Sequence, residues 1–203
     1  MIAVIDYGAG NIRNVVNAVA RLGYEVRLTC EGEDVLAAEA VIFPGVGAAG
    51  DTIASLKTLD LVTPIRTVIA EDRPFLGICM GIQVLFTETE EDGGQECLEI
   101  FPGHVRKFPE GMKIPHMGWN QVRQIQKHPI FDGVPDGENF YFVHSYYVEP
   151  EDTSLVAGTT EYGIEFCSAI ARGNLVATQF HPEKSGDMGL KILDNFLRNA
   201  GKS

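Results

Sequence analysis

Residues 74–86 read PFLGICMGIQVLF. The apolar run Phe75, Leu76, Gly77, Ile78 leads to Cys79, which stands between Gly77 and Gly81, and residues 82–86 suit a helix. A short apolar run bounded by turn residues reads as a buried strand. The stretch therefore predicts a strand, a sharp corner and a helix, with Cys79 at the corner. The same corner carries the serine of G-x-S-x-G elbows, where strain exposes the nucleophile above a sheet. Glycines flank such a corner because side chains there collide with the turn and with neighbouring strands. A thiol at a helix N-terminus also feels a partial positive charge that favours thiolate. Cysteine is equally an ordinary small core residue, so the elbow gains meaning only from a base and an oxyanion site.

Outward from this stretch, the chain reads as alternating strands and helices. Residues 2–5 form an apolar run, and Asn11 is a suitable N-cap for a helix over 12–22, where Val15, Val16, Val19 and Leu22 share helical spacing before Gly23. Residues 25–28 read as a strand, 35–39 as a short helix and 40–43 as a buried strand broken by Pro44, Gly45, Val46 and Gly47. Helical pattern returns at 53–56 and 62–70. This order predicts an α/β fold: a doubly wound, mostly parallel central sheet flanked by helices. Residues 105–108, 118–125, 140–148, 155–159, 166–171 and 175–179 read as strands joined by turns, a partly antiparallel C-terminal extension, and 189–199 as a closing helix. The acidic stretch 88–94 reads as a solvated loop. Ligands of doubly wound sheets sit at the carboxyl ends of the strands. The loop after Asp6, the 44–47 loop and Cys79 all fall there.

A thiolate nucleophile needs an imidazole oriented by a third group. Among five histidines, His104 and His128 read as surface positions, and His181 stands out within QFHPE at 179–183. Pro182 biases His181 toward extended backbone, and residues two apart on an extended segment share a side. Glu183 can then accept from one ring nitrogen and leave the other for the cysteine proton. An oxyanion needs backbone N–H groups. Met80 supplies one and the Gly45-Val46-Gly47 loop, mobile at its glycines, another.

The bulk properties bound the partners. A chain of 203 residues suits one domain with a sizeable core. A net charge of −12 argues against nucleic acid. Acid is concentrated in residues 29–100, with 14 Asp or Glu against 3 Lys or Arg; residues 104–128 carry five Lys or Arg against one Glu and read as a solvated sheet face or a site for an acidic group. Cys30, Cys79, Cys97 and Cys167 form no C-x-x-C pair and no metal-ligand spacing, so reduced thiols and no metal site are expected. The opening MIAVIDYGAGN reads directly into a strand, and no apolar run approaches a membrane span. A soluble, cytoplasmic protein is expected.

Residues 77–83, the Pro-Gly-Val-Gly loop and Phe180-His181-Pro182-Glu183 together resemble the class I (triad) glutamine amidotransferases, across the whole chain and in that family's order. DYGAGN at 6–11, PHMGWN at 115–120, FVHSYY at 142–147 and QFHPEKS at 179–185 are similar to the glutaminase subunits of imidazole glycerol phosphate synthases. The resemblance implies one amidotransferase domain over residues 1–203. It implies that Cys79 attacks the glutamine amide, that His181 and Glu183 complete the triad, and that N–H groups of Met80 and of the Gly45-Val46-Gly47 strand hold the oxyanion. Gln83 with Glu91 would take the glutamine α-amino group, the backbone of Ser145 and Tyr146 its carboxylate, and Gly45 and His144 would also belong to the glutamine site. Asn11, Met117, Trp119 and Lys184 would face a (β/α)8-barrel cyclase subunit that receives ammonia, and no cofactor is implied. The oxyanion loop is expected to align only when that partner and its nucleotide bind. Alternatives are the glutaminase of another synthase, such as that of pyridoxal phosphate or anthranilate, or a non-catalytic regulatory subunit on the same fold.

Overall fold

The computed structural model describes residues 1–10 and 12–200. Strands β1 (Ile2–Ile5), β2 (Val26–Thr29), β3 (Ala40–Gly45), β4 (Phe75–Cys79) and β13 (Leu175–Thr178) lie in the order β2-β1-β3-β4-β13, and every neighbouring pair is parallel. Helices α1 (Ile12–Arg21) and α6 (Gly186–Ala200) cover one face, burying Val15, Val19, Leu193 and Phe196 against Val4, Ile42 and Leu76. Helices α2 (Gly32–Ala37), α3 (Ala49–Thr58) and α4 (Val62–Ala70) cover the other, where Leu56, Ile65 and Val68 meet Ile5, Val41 and Phe75. Apolar residues at both alternating positions of β1 and β3 are what burial on two faces requires. The doubly wound expectation holds. No helix among the described residues is long and apolar enough to cross a membrane.

The remaining strands extend the sheet beyond β13. β12 (Ile164–Arg172) pairs antiparallel with β13, and β10 (Tyr146–Pro150), β7 (Gly103–Lys107), β5 (Glu88–Thr89) and β6 (Gln95–Glu96) continue the path. β11 (Val156–Tyr162), β8 (His116–Gln124) and β9 (Glu138–His144) form a second antiparallel arm. Two expectations change here. Residues 140–148 are not one strand, because the chain leaves β9 at His144 and enters β10 at Tyr146, pairing with different neighbours. The acidic stretch at 88–94 is not a free loop: β5 and β6 make a small hairpin on β7, and Glu90 accepts from Arg106 at 2.8 Å. Arg106 also meets Glu149, and Arg123 pairs with Glu165, so part of the basic stretch is balanced on the sheet itself.

The corner at Cys79 is as the sequence predicts, but the helix after it, α5 (Met80–Gln83), is only four residues long. Close packing explains both glycines. A Cβ on Gly81 would lie 2.2 Å from the Phe43 carbonyl oxygen on β3, and one on Gly77 would lie 2.6 Å from the Gly81 carbonyl oxygen. Helix α5 thus starts directly against the backbones of β3 and β4. Similarly β3 runs on through Pro44 and Gly45, where a Cβ would lie 2.5 Å from both Met80 Cβ and the Tyr7 hydroxyl. Replacing Gly81 with Ala is expected to destabilise the fold by about 1–3 kcal/mol, the usual cost of overpacking. Gly50→Ala, facing only the flexible Gln95 side chain at 3.5 Å within α3, is expected to be neutral or stabilising by up to ~1 kcal/mol. Urea denaturation of both variants checks the contrast.

Candidate active site

Parallel pairing brings three loops to one edge. Gly45 of β3 stands opposite Cys79, and Thr178 of β13 opposite Ile78, so the segments following β3, β4 and β13 emerge together. Cys79 itself has φ 55 and ψ −101. A non-glycine residue there is strained by roughly 1–3 kcal/mol, and such strain persists only where the surroundings impose it. The result is a cysteine at the carboxyl edge of the sheet, with only 6% of the residue exposed.

His181 follows β13 and is buried beside it. Its Nδ1 lies 2.8 Å from Glu183 Oε1, so the carboxylate accepts from that nitrogen. The contact was expected from an extended segment. Instead His181 precedes a 3-10 turn, Pro182–Lys184, whose first position Pro182 occupies, and the turn folds Glu183 back onto the ring. Nε2 is buried and has no hydrogen bond of normal geometry. Burial by itself would depress the imidazole, but the charge of the Cys79 sulfur beside it and the Glu183 carboxylate outweigh that and lift it to about 9. His181 therefore holds a proton at neutral pH. Burial pushes the thiols of Cys97 and Cys167 up, to about 11 and about 12.

In front of Cys79 lies a cleft of about 280 Å³. It is lined by Val46, Gly47, Cys79, Met80, Gln83, Glu91, His144, Ser145 and Tyr146. Gly45 lies behind it, inside β3. Glu91 reaches across to α3, where the Ala49 N–H donates to its Oε2 at 2.6 Å; burial raises this carboxyl. His144 lines the cleft with both ring nitrogens occupied. Nδ1 is 2.7 Å from the Tyr146 carbonyl oxygen and Nε2 is 2.9 Å from His116 Nδ1. Because a carbonyl only accepts, His144 carries its proton on Nδ1, and His116 must donate from its own Nδ1. His116 Nε2 then accepts from Asn120 at 3.2 Å. The pair satisfies this chain only when neutral, and burial holds His116 down at about 4 and His144 at about 3. Among the described residues no group of His, Cys, Asp or Glu clusters as a metal ion would need.

Comparison with known proteins shows the family. Residues 3–200 match the family Glutamine amidotransferase class-I. Imidazole glycerol phosphate synthase subunit HisH of Dehalococcoides mccartyi (strain CBDB1) is 52% identical over 200 residues, 98% of each chain. The HisH subunit of Moorella thermoacetica is 50% identical over 205 residues, covering 100% of this chain and 98% of that one. The chain belongs to the class-I glutamine amidotransferases, in the HisH family. Two solved structures share the fold at low identity: a glutamine amidotransferase with a TM-score of 0.77 and 18% identity, covering 99% of this chain and 100% of that one, and PurLQS from Thermotoga maritima with a TM-score of 0.78 and 18% identity, covering 98% and 97%.

Of the residues that the amidotransferase motifs single out, the cleft gathers those around Cys79 and leaves others outside. Met117 and Trp119 are 62% and 58% exposed on β8, and Lys184 stands 5.9 Å over the Tyr141 ring, next to Trp119. Asn11, expected as an N-cap and interface residue, lies outside the described residues. His104 and His128 are half-buried in structural roles, His104 against Glu88 and His128 capping a turn through the Ile130 N–H. Sequence reasoning missed Gln179. Its fully buried amide lies 3.6 Å from Cys79 Sγ; the only signal was its place two residues before His181.

The two kinds of histidine predict opposite behaviour. The neutral pair has lowered values, so its stability contribution is present above 6.5 and is lost as pH falls toward 4 and 3. His181 has a raised value, so its contribution is full below 6.5 and is lost as pH rises to about 9. Ring signals followed by NMR are expected to show His116 and His144 neutral at pH 5 and His181 still charged at pH 8.

Proposed function

We propose that this chain is the glutaminase subunit of an imidazole glycerol phosphate synthase, acting as one domain in the cytoplasm. The observation that carries the chemistry is Cys79, strained at a strand end, beside a charged His181 that Glu183 holds through Nδ1. Glutamine enters the cleft with its side-chain amide at Cys79. The thiolate attacks the amide carbon, and N–H groups of Met80 and of the Val46–Gly47 segment receive the oxyanion. His181 passes its Nε2 proton to the leaving nitrogen, the C–N bond breaks, and ammonia and a glutamyl thioester remain. His181, now neutral, takes a proton from water as it attacks the thioester, and glutamate leaves with the thiolate restored. Gln83 and Glu91 suit the α-amino group, and the backbone of Ser145 and Tyr146 the carboxylate. His144 shapes the wall without a free nitrogen to offer.

Free ammonia protonates and diffuses away, so its release is useful only beside an acceptor. Met117 and Trp119 stand outward on alternating positions of β8, with Ile114 exposed nearby, an apolar face of the kind that marks an interface. This face, with Lys184 at its side, would dock the (β/α)8-barrel cyclase subunit that combines ammonia with a phosphoribulosyl-formimino nucleotide to give imidazole glycerol phosphate and AICAR.

Glutamate release from glutamine is expected to rise strongly when the cyclase and its nucleotide are added; activity only with a different synthase would overturn the pathway assignment. Cys79→Ala is expected to lose at least ~10³-fold in glutamate release and to keep its affinity for the cyclase in calorimetry. Trp119→Ala is expected to weaken that affinity by about tenfold or more, the loss typical of an aromatic interface anchor.

A further inference from the structure

The amide of Gln179 touches the sulfur yet enters none of the steps above. We propose that Gln179 is a positioning residue for the nucleophile, and that Gln83 sets which end of its amide faces Cys79. The proposal rests on the glutaminase reading for its purpose, since it ties a residue facing the bound glutamine to the attacking atom.

The orientation follows from what each group can donate. Gln83 Nε2 lies 3.1 Å from the Tyr146 carbonyl oxygen and 3.0 Å from Gln179 Oε1. A carbonyl cannot donate, so Gln83 must present its NH₂ there. The second hydrogen of that NH₂ points to Gln179, which must answer with its oxygen. The NH₂ of Gln179 is then left facing Cys79 Sγ at 3.6 Å. The Tyr146 carbonyl is pinned in turn by His144 Nδ1, and His144 by His116, which bonds Asn120. Every member has one allowed direction, so the donor aimed at the sulfur is imposed by groups that never touch it.

The contact favours the ionised sulfur. An N–H donor to a thiolate is a charge-assisted hydrogen bond, stronger than one to a neutral thiol. The thiol has a competing outlet, because Cys79 Sγ can donate to the Val143 carbonyl oxygen at 3.8 Å. Gln179 stabilises the form that attacks and Val143 the form that does not. If the Gln179 amide turned over, its oxygen would face the sulfur and repel the thiolate. Gln83 prevents that turn.

The test reads ionisation rather than turnover. Alkylation of Cys79 by iodoacetamide is followed from pH 5 to 9.5 by mass spectrometry of its peptide, in the whole chain without glutamine, because only the thiolate reacts. In Gln179→Met the profile is expected to move about one unit toward higher pH, which slows alkylation about tenfold below the midpoint. Gln83→Met, which leaves Gln179 free to turn, moves it in the same direction by less, and the double variant moves it no further than Gln179→Met. An unchanged profile in a folded Gln179→Met chain overturns the donor role. A shift there with no change in Gln83→Met overturns the lock. Should Gln179→Met not fold, the side-chain amide resonance of Gln179 in the wild-type chain decides: it shifts as Cys79 ionises, or stays fixed and overturns the proposal. A chain with these profiles that releases no glutamate with any synthase would sink the glutaminase reading alone.

Discussion

Everything at the cleft depends on a left-handed turn at one cysteine. Cys79 sits at φ 55, where a side chain is normally excluded, and it is held there from three sides. Gly81 has no room for a side chain against the Phe43 carbonyl, Gly77 none against Gly81, and Gly45 none against Met80 and Tyr7. At Gly81 and Gly77 the contact is with backbone, so it cannot relax by rotating a side chain. The parallel strands on either side of β4 convert local strain into position: they carry the Val46–Gly47 segment and the Gln179–His181 segment to the same edge.

Environment then separates histidines of identical chemistry. His181, buried with a carboxylate at one nitrogen and a sulfur at the other side, keeps a proton. His144 and His116, buried against aromatic rings with a carbonyl and an amide as partners, lose theirs. The difference is useful to the site. A charged His144 would repel the nearby imidazolium of His181, whereas a neutral one leaves it undisturbed and fixes the Tyr146 carbonyl. Through that carbonyl the polar interior behind β8 and β9 connects to Gln83 and Gln179. The outer face of β8 meanwhile carries Met117 and Trp119, because side chains alternate along a strand.

The α/β order was legible because buried parallel strands are written as short apolar runs, here at 2–5, 40–43 and 75–79, between amphipathic helices. Cys79 was legible at the end of such a run, and the His181-Glu183 pairing from its spacing, although a 3-10 turn makes the contact where an extended segment was expected. Contacts made between distant segments were not. The break at Ser145 follows from β9 and β10 pairing with different strands, a decision made about 25–40 residues away in sequence, on β8 and β7. The hairpin at residues 88–96 is held by β7 and Arg106. Gln179 looked like the end of a strand, and its role depends on Gln83, 96 positions earlier.

The amino-acid sequence by itself determined the order of the parallel strands and helices, the corner at Cys79 and its pairing with His181 and Glu183, because these follow from near-neighbour patterns: apolar runs, glycines without Cβ atoms, a proline after a histidine. Tertiary structure decided the rest. It set the protonation of each histidine, since that depends on burial and on partners brought from other strands. It also set which end of the Gln179 amide faces the sulfur, since an amide has two nearly identical ends and only the donors and acceptors packed around it choose between them.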